Sequence, residues 1–467
     1  MVPLLVIVPF LSIIIMNLFP RKLMQYTSFI CLGFLSLSQI YLVLARPQWF
    51  WYKKSGLWES LFSFRYTVDE IALVLLLCIG IVVFISLLTA RAMIPEVRQR
   101  VNFKNLLLVS FIGMNATALV KDIFSLYVFI EITAVSSYIM IAMNKNDTAL
   151  EGAFKYLILS AIATVMMLAA VSLILLLTGN TSFAAVSTGL SVAGQSLFVR
   201  IAIGLFLCGL FIKSGLVPFH AWLPDAYSAA PAPVSILLAG IVTKASGVYA
   251  LIRLAISVFG LHSSLQSLLM FIGAVSILVG AIAALTQTDF KRMLAYSSIS
   301  QVGYIVLGLG CATPLAIFGA VFHLFNHAIF KSLLFVNAAS VEKELGTTDM
   351  EKMGGLAQKM PVAGVSSVVG LLSTAGIPPL SGFWSKFIII LALWQAGRFG
   401  YAFIAVLASL LTLAYFLAMQ RRVFFGKLRG GLENIRESSI SLIISQSILV
   451  LITVGLGVFF PLVLKWR

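Results

Sequence analysis

Apolar stretches of about 18 residues or more, each long enough to cross a bilayer as a helix, follow one another along this chain with only short polar breaks between them. They lie near residues 2–19, 27–45, 69–89, 104–120, 122–143, 153–178, 198–216, 232–256, 263–285, 292–310, 314–338, 362–396, 401–424 and 438–464, fourteen in all. A chain of 467 residues that is 61% hydrophobic and 10% charged cannot hide this surplus inside one water-soluble core. The expected fold is an all-α polytopic membrane protein with about fourteen transmembrane helices. The twelfth stretch is too long for one straight span, and Gly376, Pro378, Pro379 and Gly382 interrupt it. Two half-helices are expected there.

The formal charge of +16 invites a nucleic-acid reading, but the basic residues follow a topology rule instead. With fourteen spans, eighteen of the 32 lysines and arginines fall in or beside the turns opposite the termini, including Arg91, Arg98, Arg100, Lys291, Arg292, Arg421 and Arg422. This bias places those turns in the cytoplasm and both termini outside. The segment 46–66, rich in Trp and Tyr between basic residues, suits the outer interface. The start "MVPLLVIVPFLSIII" has no basic residues before its apolar run, so the first span is expected to remain as an anchor. Cys31, Cys78, Cys208 and Cys311 are scattered without a C-x-x-C spacing and offer no cluster site.

No long soluble insert exists; the largest polar one is 341–361. Chemistry must therefore happen within the membrane or in a partner. A faint echo links "GLVPFHAW" at 215–222, with Gly215 and Pro218, to "GIPPLSGFW" at 376–384, and Asp122 to Asp289 at an offset of 167. Repeat units of five spans would be inverted in the bilayer because five is odd. Inverted repeats with broken helices characterise transporters.

A charged side chain at mid-bilayer costs about 2.5 to 3.5 kcal/mol on insertion scales, so each one present needs a reason. Glu131 lies about 14 Å into its span at 1.5 Å per residue. Lys213, Lys244, Lys331 and Lys386 also sit within spans. Four lysines against one glutamate argue against plain ion pairing; surplus buried lysines are most economically carried neutral, and a neutral lysine accepts a proton. In "FHLFNHAIFKSLLF", His323, His327 and Lys331 stand at i, i+4 and i+8, one polar stripe on one helical face. Histidine titrates near neutrality, which suits a proton shuttle. No carboxylate or cysteine stands close in sequence to complete a zinc site, and two histidines on one face cannot ligate a haem from both sides. The structural alternatives stay open beside this: Glu131 and Lys213 as a plain salt bridge, Lys244 and Lys386 bonding carbonyls freed at broken helices, His220 and Asp225 as loop structure.

Four segments, "FIKSGLVPFHAWLPDAYSAAPAPVS", "DFKRMLAYSSISQVGY", "HLFNHAIFKSLLF" and "GIPPLSGFWSKF", together resemble the antiporter-like membrane subunits shared by respiratory complex I, membrane-bound hydrogenases and Mrp-type sodium/proton antiporters. The resemblance runs from about residue 100 to 425. It implies fourteen helices, with helices 4–8 (104–256) and 9–13 (263–424) as inverted repeats, helices 7 and 12 broken, helices 1–3 (1–103) before them and helix 14 (438–467) after. It also implies roles. Glu131 is the fifth-helix glutamate paired with the seventh-helix Lys213, Lys244 is the connecting lysine of the eighth helix, His323 and His327 continue a central polar axis, and Lys386 stands at the outlet. Some relatives carry glutamate in place of Lys386. The longest relatives extend past helix 14 into a lateral helix, which implies that this chain is not that terminal subunit.

The expected function is proton translocation by a non-redox subunit, Lys213 loading a proton under the control of Glu131 and releasing it along Lys244 and the histidine stripe. No cofactor is expected in this chain, which has neither a Rossmann glycine fingerprint nor a cysteine cluster. Iron–sulfur clusters, and nickel–iron or flavin groups, would belong to peripheral redox partners, alongside sister membrane subunits. The expected location is the cytoplasmic membrane, without nucleic acid. The alternatives are a subunit of an Mrp-type sodium/proton antiporter working without electron transfer, and an inactive scaffold.

Overall fold

A computed structural model describes residues 2–18, 21–47, 68–194 and 196–460. The described residues form seventeen α-helices and no strand beyond two isolated bridges. In chain order they are α1 (Leu4–Asn17), α2 (Arg21–Ala45), α3 (Glu70–Met93), α4 (Val97–Leu119), α5 (Ile123–Ile141), α6 (Asp147–Thr178) and α7 (Phe183–Ala193). They continue with α8 (Leu197–Ser214), α9 (Trp222–Ala229), α10 (Ala232–Phe259), α11 (Ser263–Leu285), α12 (Phe290–Cys311) and α13 (Pro314–Leu345). The last are α14 (Pro361–Ala375), α15 (Ser381–Gln395), α16 (Phe399–Val423) and α17 (Ile440–Val458).

Among the described residues, eleven helices are long and apolar enough to cross a membrane. Three of the fourteen expected spans fall outside that number for separate reasons. The first, α1, has only 14 residues; α4 carries Arg98, Arg100 and Lys104 in its first half; the twelfth is two 15-residue pieces, α14 and α15. The aromatic segment expected at the outer interface lies, from residue 48 on, outside the described residues.

Local sequence sets the helix ends. Asp122, Asn146, Asp289 and Thr313 each accept a hydrogen bond from the backbone N–H three residues on, relieving the unpaired amides of a first helical turn. Gly215 and Gly376 close α8 and α14 with φ of +67° and +86°, a conformation that costs a residue without Cβ little. A cis proline follows each closure, at Pro218 and Pro379. Helix α10 contains three π-wound stretches, Leu238–Val242, Lys244–Tyr249 and Ala255–Phe259; such winding clusters at functional sites.

The chain forms two compact units. The first comprises Met1–Leu87, Glu96–Gly215 and Ile241–His262, the second Leu88–Pro95, Leu216–Gly240 and Ser263–Arg467. Within the first, the buried amides of Gln39 on α2 and Asn115 on α4 bond each other in both directions, at 2.9 and 2.8 Å. They also reach the Leu76 carbonyl on α3 and the Leu5 carbonyl on α1. One pair of side chains thereby joins four helices, at a place where lipid could offer no partner.

In the second unit, α11 and α12 approach backbone to backbone through Gly273 and Gly280 on one side and Gly303 and Gly310 on the other. A Cβ at Gly280 would sit 2.5 Å from the Ser300 nitrogen and one at Gly310 2.6 Å from that of Met270. Small residues at helix crossings let dispersion forces hold spans together where no hydrophobic effect can.

Each unit also carries the same small device. In the first, Asp122 caps α5, accepts the hydroxyl of Thr181 and bridges to Ser182. In the second, Asp289 caps α12, accepts the hydroxyl of Thr348 and bridges to Asp349.

Candidate functional site

In the first unit, α5, α6 and α8 bring three polar side chains to one point. The ammonium of Lys213, the penultimate residue of α8, lies 2.8 Å from Glu131 Oε1 and donates to Ser160 Oγ at 2.6 Å. The pair is lopsided: the lysine side chain is 0% exposed and the glutamate 21%. The carboxylate reaches the surface of the unit while the amine stays inside.

Lys244, fully buried on α10, has its Nζ 3.5 Å from Thr243 Oγ1. Its helix is drawn close to α8 by Gly247, where a Cβ would meet the Ser214 nitrogen at 2.6 Å and Cα at 2.7 Å. Ser214 is the neighbour of Lys213, so this contact helps set where the lysine sits.

At the far end of α10, Arg253 is 5% exposed and forks onto both oxygens of Asp69, just before α3. Its guanidinium also donates to the Tyr249 hydroxyl at 2.7 Å, which in turn donates to the Ala118 carbonyl. Partial burial pushes the Asp69 carboxyl up; the hydrogen bonds from Arg253 and the Ala72 amide, with the Arg253 and Lys121 charges, outweigh it and hold the group below the usual carboxylate range. The ion pair ties the residue just before α3 to α10.

In the second unit, His323, His327 and Lys331 on α13 are all fully buried. The two imidazoles face each other at 6.4 Å with 18° between their planes. His323 Nδ1 bonds Ser385 Oγ on α15 at 2.8 Å, and its ring packs on Tyr304 of α12 at 5.8 Å. Lys386, beside Ser385, points its ammonium at the face of the same Tyr304 ring, 4.4 Å from the centroid. At the other end of the stripe, Lys331 donates to the Leu294 carbonyl at 3.1 Å and to Ser297 Oγ at 2.7 Å. Ser297 also accepts from the Tyr415 hydroxyl of α16 at 2.7 Å. The stripe read from the sequence and Lys386 thus meet in one buried run.

The two breaks lie next to these groups. Gly376 packs on the stem of Lys386, with a Cβ there 3.0 Å from Lys386 Cδ. On the other break, Val217 donates to Ser276 Oγ at 3.1 Å, and Asp225 on α9 binds Arg292 at 2.5 Å. His220 lies in the turn between α8 and α9. Among the described residues no three His, Cys, Asp or Glu side chains converge in a way that could hold a metal ion.

Sequence reasoning missed Ser160, Gly247, Ser297, Tyr304, Ser385 and Tyr415. Each is a small or aromatic residue of a kind common in spans, and only its neighbour in space brings it to the candidate site.

Residues 120–412 match a family model described as NADH:quinone oxidoreductase/Mrp antiporter, transmembrane. That stretch is well over half of the chain and contains every group of this site except Asp69, Ala72, Ala118 and Tyr415. The chain belongs to this family. One component of the Na(+)/H(+) antiporter of Alkalihalophilus pseudofirmus is 32% identical over 403 residues, 86% of this chain and 82% of that one. One component of the NADH-quinone oxidoreductase of Desulforudis audaxviator is 37% identical over 322 residues, 68% of this chain and 64% of that one. Among solved structures, a chain of the membrane-bound sulfane sulfur reductase, an archaeal respiratory membrane complex, superposes with a TM-score of 0.88 at 29% identity, covering 98% of this chain and 94% of that one. The family resemblance read from the four motifs is thereby established, and the protein is a multi-pass, antiporter-like membrane subunit.

Proposed function

We propose that this subunit moves protons through the membrane by way of Glu131, Lys213 and Lys244 in its first unit and Lys331, His327, His323 and Lys386 in its second. The observation that carries this reading is the Lys213–Glu131–Ser160 cluster. A fully buried ammonium is tolerable only while its counter-ion stands beside it. Drawing Glu131 away, or protonating it, makes release of the lysine's proton the least costly response. Binding and release then follow from one movement of a carboxylate, without any redox group in the chain. The turn at Gly215 and Pro218, directly after Lys213, supplies backbone that can hydrate and bend.

The paired Asp–Thr devices, offset by 167 residues, support two five-helix repeats at 104–256 and 263–424. With an odd number of spans in each, the repeats are inverted, and the basic residues put both termini outside the cytoplasmic membrane.

The subunit works within a multisubunit complex whose electron transfer, carried on peripheral partners holding iron–sulfur and nickel–iron or flavin groups, drives it. The near full-length likeness to a chain of a respiratory complex supports this. The Mrp-type reading has its own support in the antiporter relative, which aligns over more of both chains than the quinone oxidoreductase relative. The complex, purified gently through a tag on this chain and assayed for iron, nickel and flavin, separates the two: stoichiometric iron supports the redox-driven complex, and its absence with only membrane subunits present supports the antiporter. In either setting, Lys213→Ala is expected to abolish proton movement while leaving the complex assembled. Parental proton flux in that variant would refute the pathway.

A further inference from the structure

We propose that Lys291 and Glu342 form a second proton-loading pair, which supplies the buried groups of the second unit; this rests on reading the chain as a proton-translocating subunit. Lys291 is the second residue of α12 and Glu342 lies in the last turn of α13. A lysine at the end of a spanning helix ordinarily snorkels to water. Lys291 does the reverse. Its side chain is 2% exposed, with the ammonium 2.7 Å from Glu342 Oε2 and 3.2 Å from the Ala230 carbonyl.

The geometry repeats the chemistry of Lys213 and Glu131: a lysine turned inward, and a carboxylate that keeps 30% of its side chain exposed against 21% for Glu131. In both pairs the carboxylate oxygen facing the lysine is itself buried and makes no hydrogen bond besides the ion pair. The second pair is not a copy inherited through the repeat, because the positions 167 residues earlier are Phe124 and Leu175. It belongs to the second unit alone.

What lies inward makes the pair more than a surface clasp. Lys331 is anchored on the Leu294 carbonyl and on Ser297 of α12. Leu294 is three residues beyond Lys291 on the same helix, a rise of about 4.5 Å. Lys331 in turn begins the stripe that leads through His327 and His323 to Lys386. Neighbouring Arg292 is held by Asp225, which leaves Glu342 to Lys291.

The step balances. Glu342, protonated from its exposed side, passes the proton to neutral Lys291, giving carboxylate and ammonium; the ammonium hands it towards neutral Lys331, and the carboxylate is again ready to accept one.

The test uses the whole complex in inverted membrane vesicles, with proton uptake followed by a pH-sensitive dye under whichever driving force works for the parent. Lys291→Arg keeps the charge and the ion pair, but a guanidinium does not give up its proton. It is expected to lower proton uptake at least tenfold while the subunits still co-purify at parental yield. Glu342→Gln is expected to do the same, and Glu342→Asp to retain more activity than Glu342→Gln. Parental uptake in Lys291→Arg or in Glu342→Gln overturns the proposal and leaves a structural ion pair. If Lys291→Arg fails to assemble, Glu342→Gln decides. Lys213→Ala is measured in parallel: parental uptake there refutes the proton-translocating reading itself, whereas its loss together with normal uptake in the Lys291 and Glu342 variants refutes only the second pair.

Discussion

The contact between Gly247 and Ser214 offers the sharpest test of how the first unit holds its lysine. A Cβ on residue 247 would lie 2.6 to 2.7 Å from backbone atoms of Ser214. Carbon atoms pack best at about 3.5 to 4.0 Å, so Gly247→Ala must push α10 and α8 apart by about 1 Å. No flexible side chain can give way in place of the backbone. Overpacking of this kind costs about 1 to 3 kcal/mol, too little to unfold a span held in lipid. A 1 Å displacement of Ser214 carries Lys213 with it, and its 2.8 Å approach to Glu131 has little slack. The ion pair would open towards about 3.8 Å, beyond hydrogen-bond range. Geometric errors of this size commonly cost up to about a hundredfold in rate. Proton uptake in vesicles is therefore expected to fall roughly ten- to a hundredfold, with co-purification of the complex unchanged. Gly204→Ala, on the same α8 but with open space around its Cβ position, is the matched control and should transport as the parent does. Parental transport in Gly247→Ala would refute the idea that this close approach positions Lys213.

Further expectations follow from the same geometry. Tyr415→Phe removes the hydroxyl that donates to Ser297, the residue holding Lys331; one hydrogen bond is worth about 0.5 to 1.5 kcal/mol. Uptake should slow several-fold with assembly intact, and an unchanged rate would show that Ser297 holds Lys331 without help. Asp69→Asn should lower the thermal stability of the purified complex at neutral pH, because Arg253 then lacks its counter-charge. The carboxyl's depressed folded-state pKa means that its contribution is complete above the unfolded value, about 3.9, and is lost as pH falls through the lower folded value. The difference in melting temperature between parent and Asp69→Asn should thus stay constant from pH 8 to 5. A difference that changes across that range would locate the linkage in another group.

Much of the candidate site is legible in the sequence. Glu131, Lys213, Lys244, Lys331 and Lys386 stand out because charge within an apolar run is costly, and His323 and His327 because their spacing places them on one face. The breaks were legible too, since glycine and proline punctuate a helix wherever they occur. Reading the sequence as charge by position misjudged the helix ends. Lys291 counted among the basic residues of the turns opposite the termini and Glu342 fell in the polar insert 341–361, yet the fold turns the lysine inward and pairs the two. Arg253, which the sequence reading did not single out, is buried against Asp69.

The sequence by itself determined that this chain must be a bundle of spanning helices, because in lipid each apolar run has to satisfy its own backbone hydrogen bonds. It also singled out the charged groups that stand within apolar runs, Glu131, Lys213, Lys244, Lys331 and Lys386. Only the tertiary structure decided which groups meet: Ser160 beside Lys213, Tyr415 behind Ser297, Lys386 over the Tyr304 ring, Lys291 against Glu342. Helical periodicity reports on neighbours three or four residues away, whereas these partners come from different helices. Their pairing depends on ångström-level approaches that glycines such as Gly247, Gly280 and Gly376 permit.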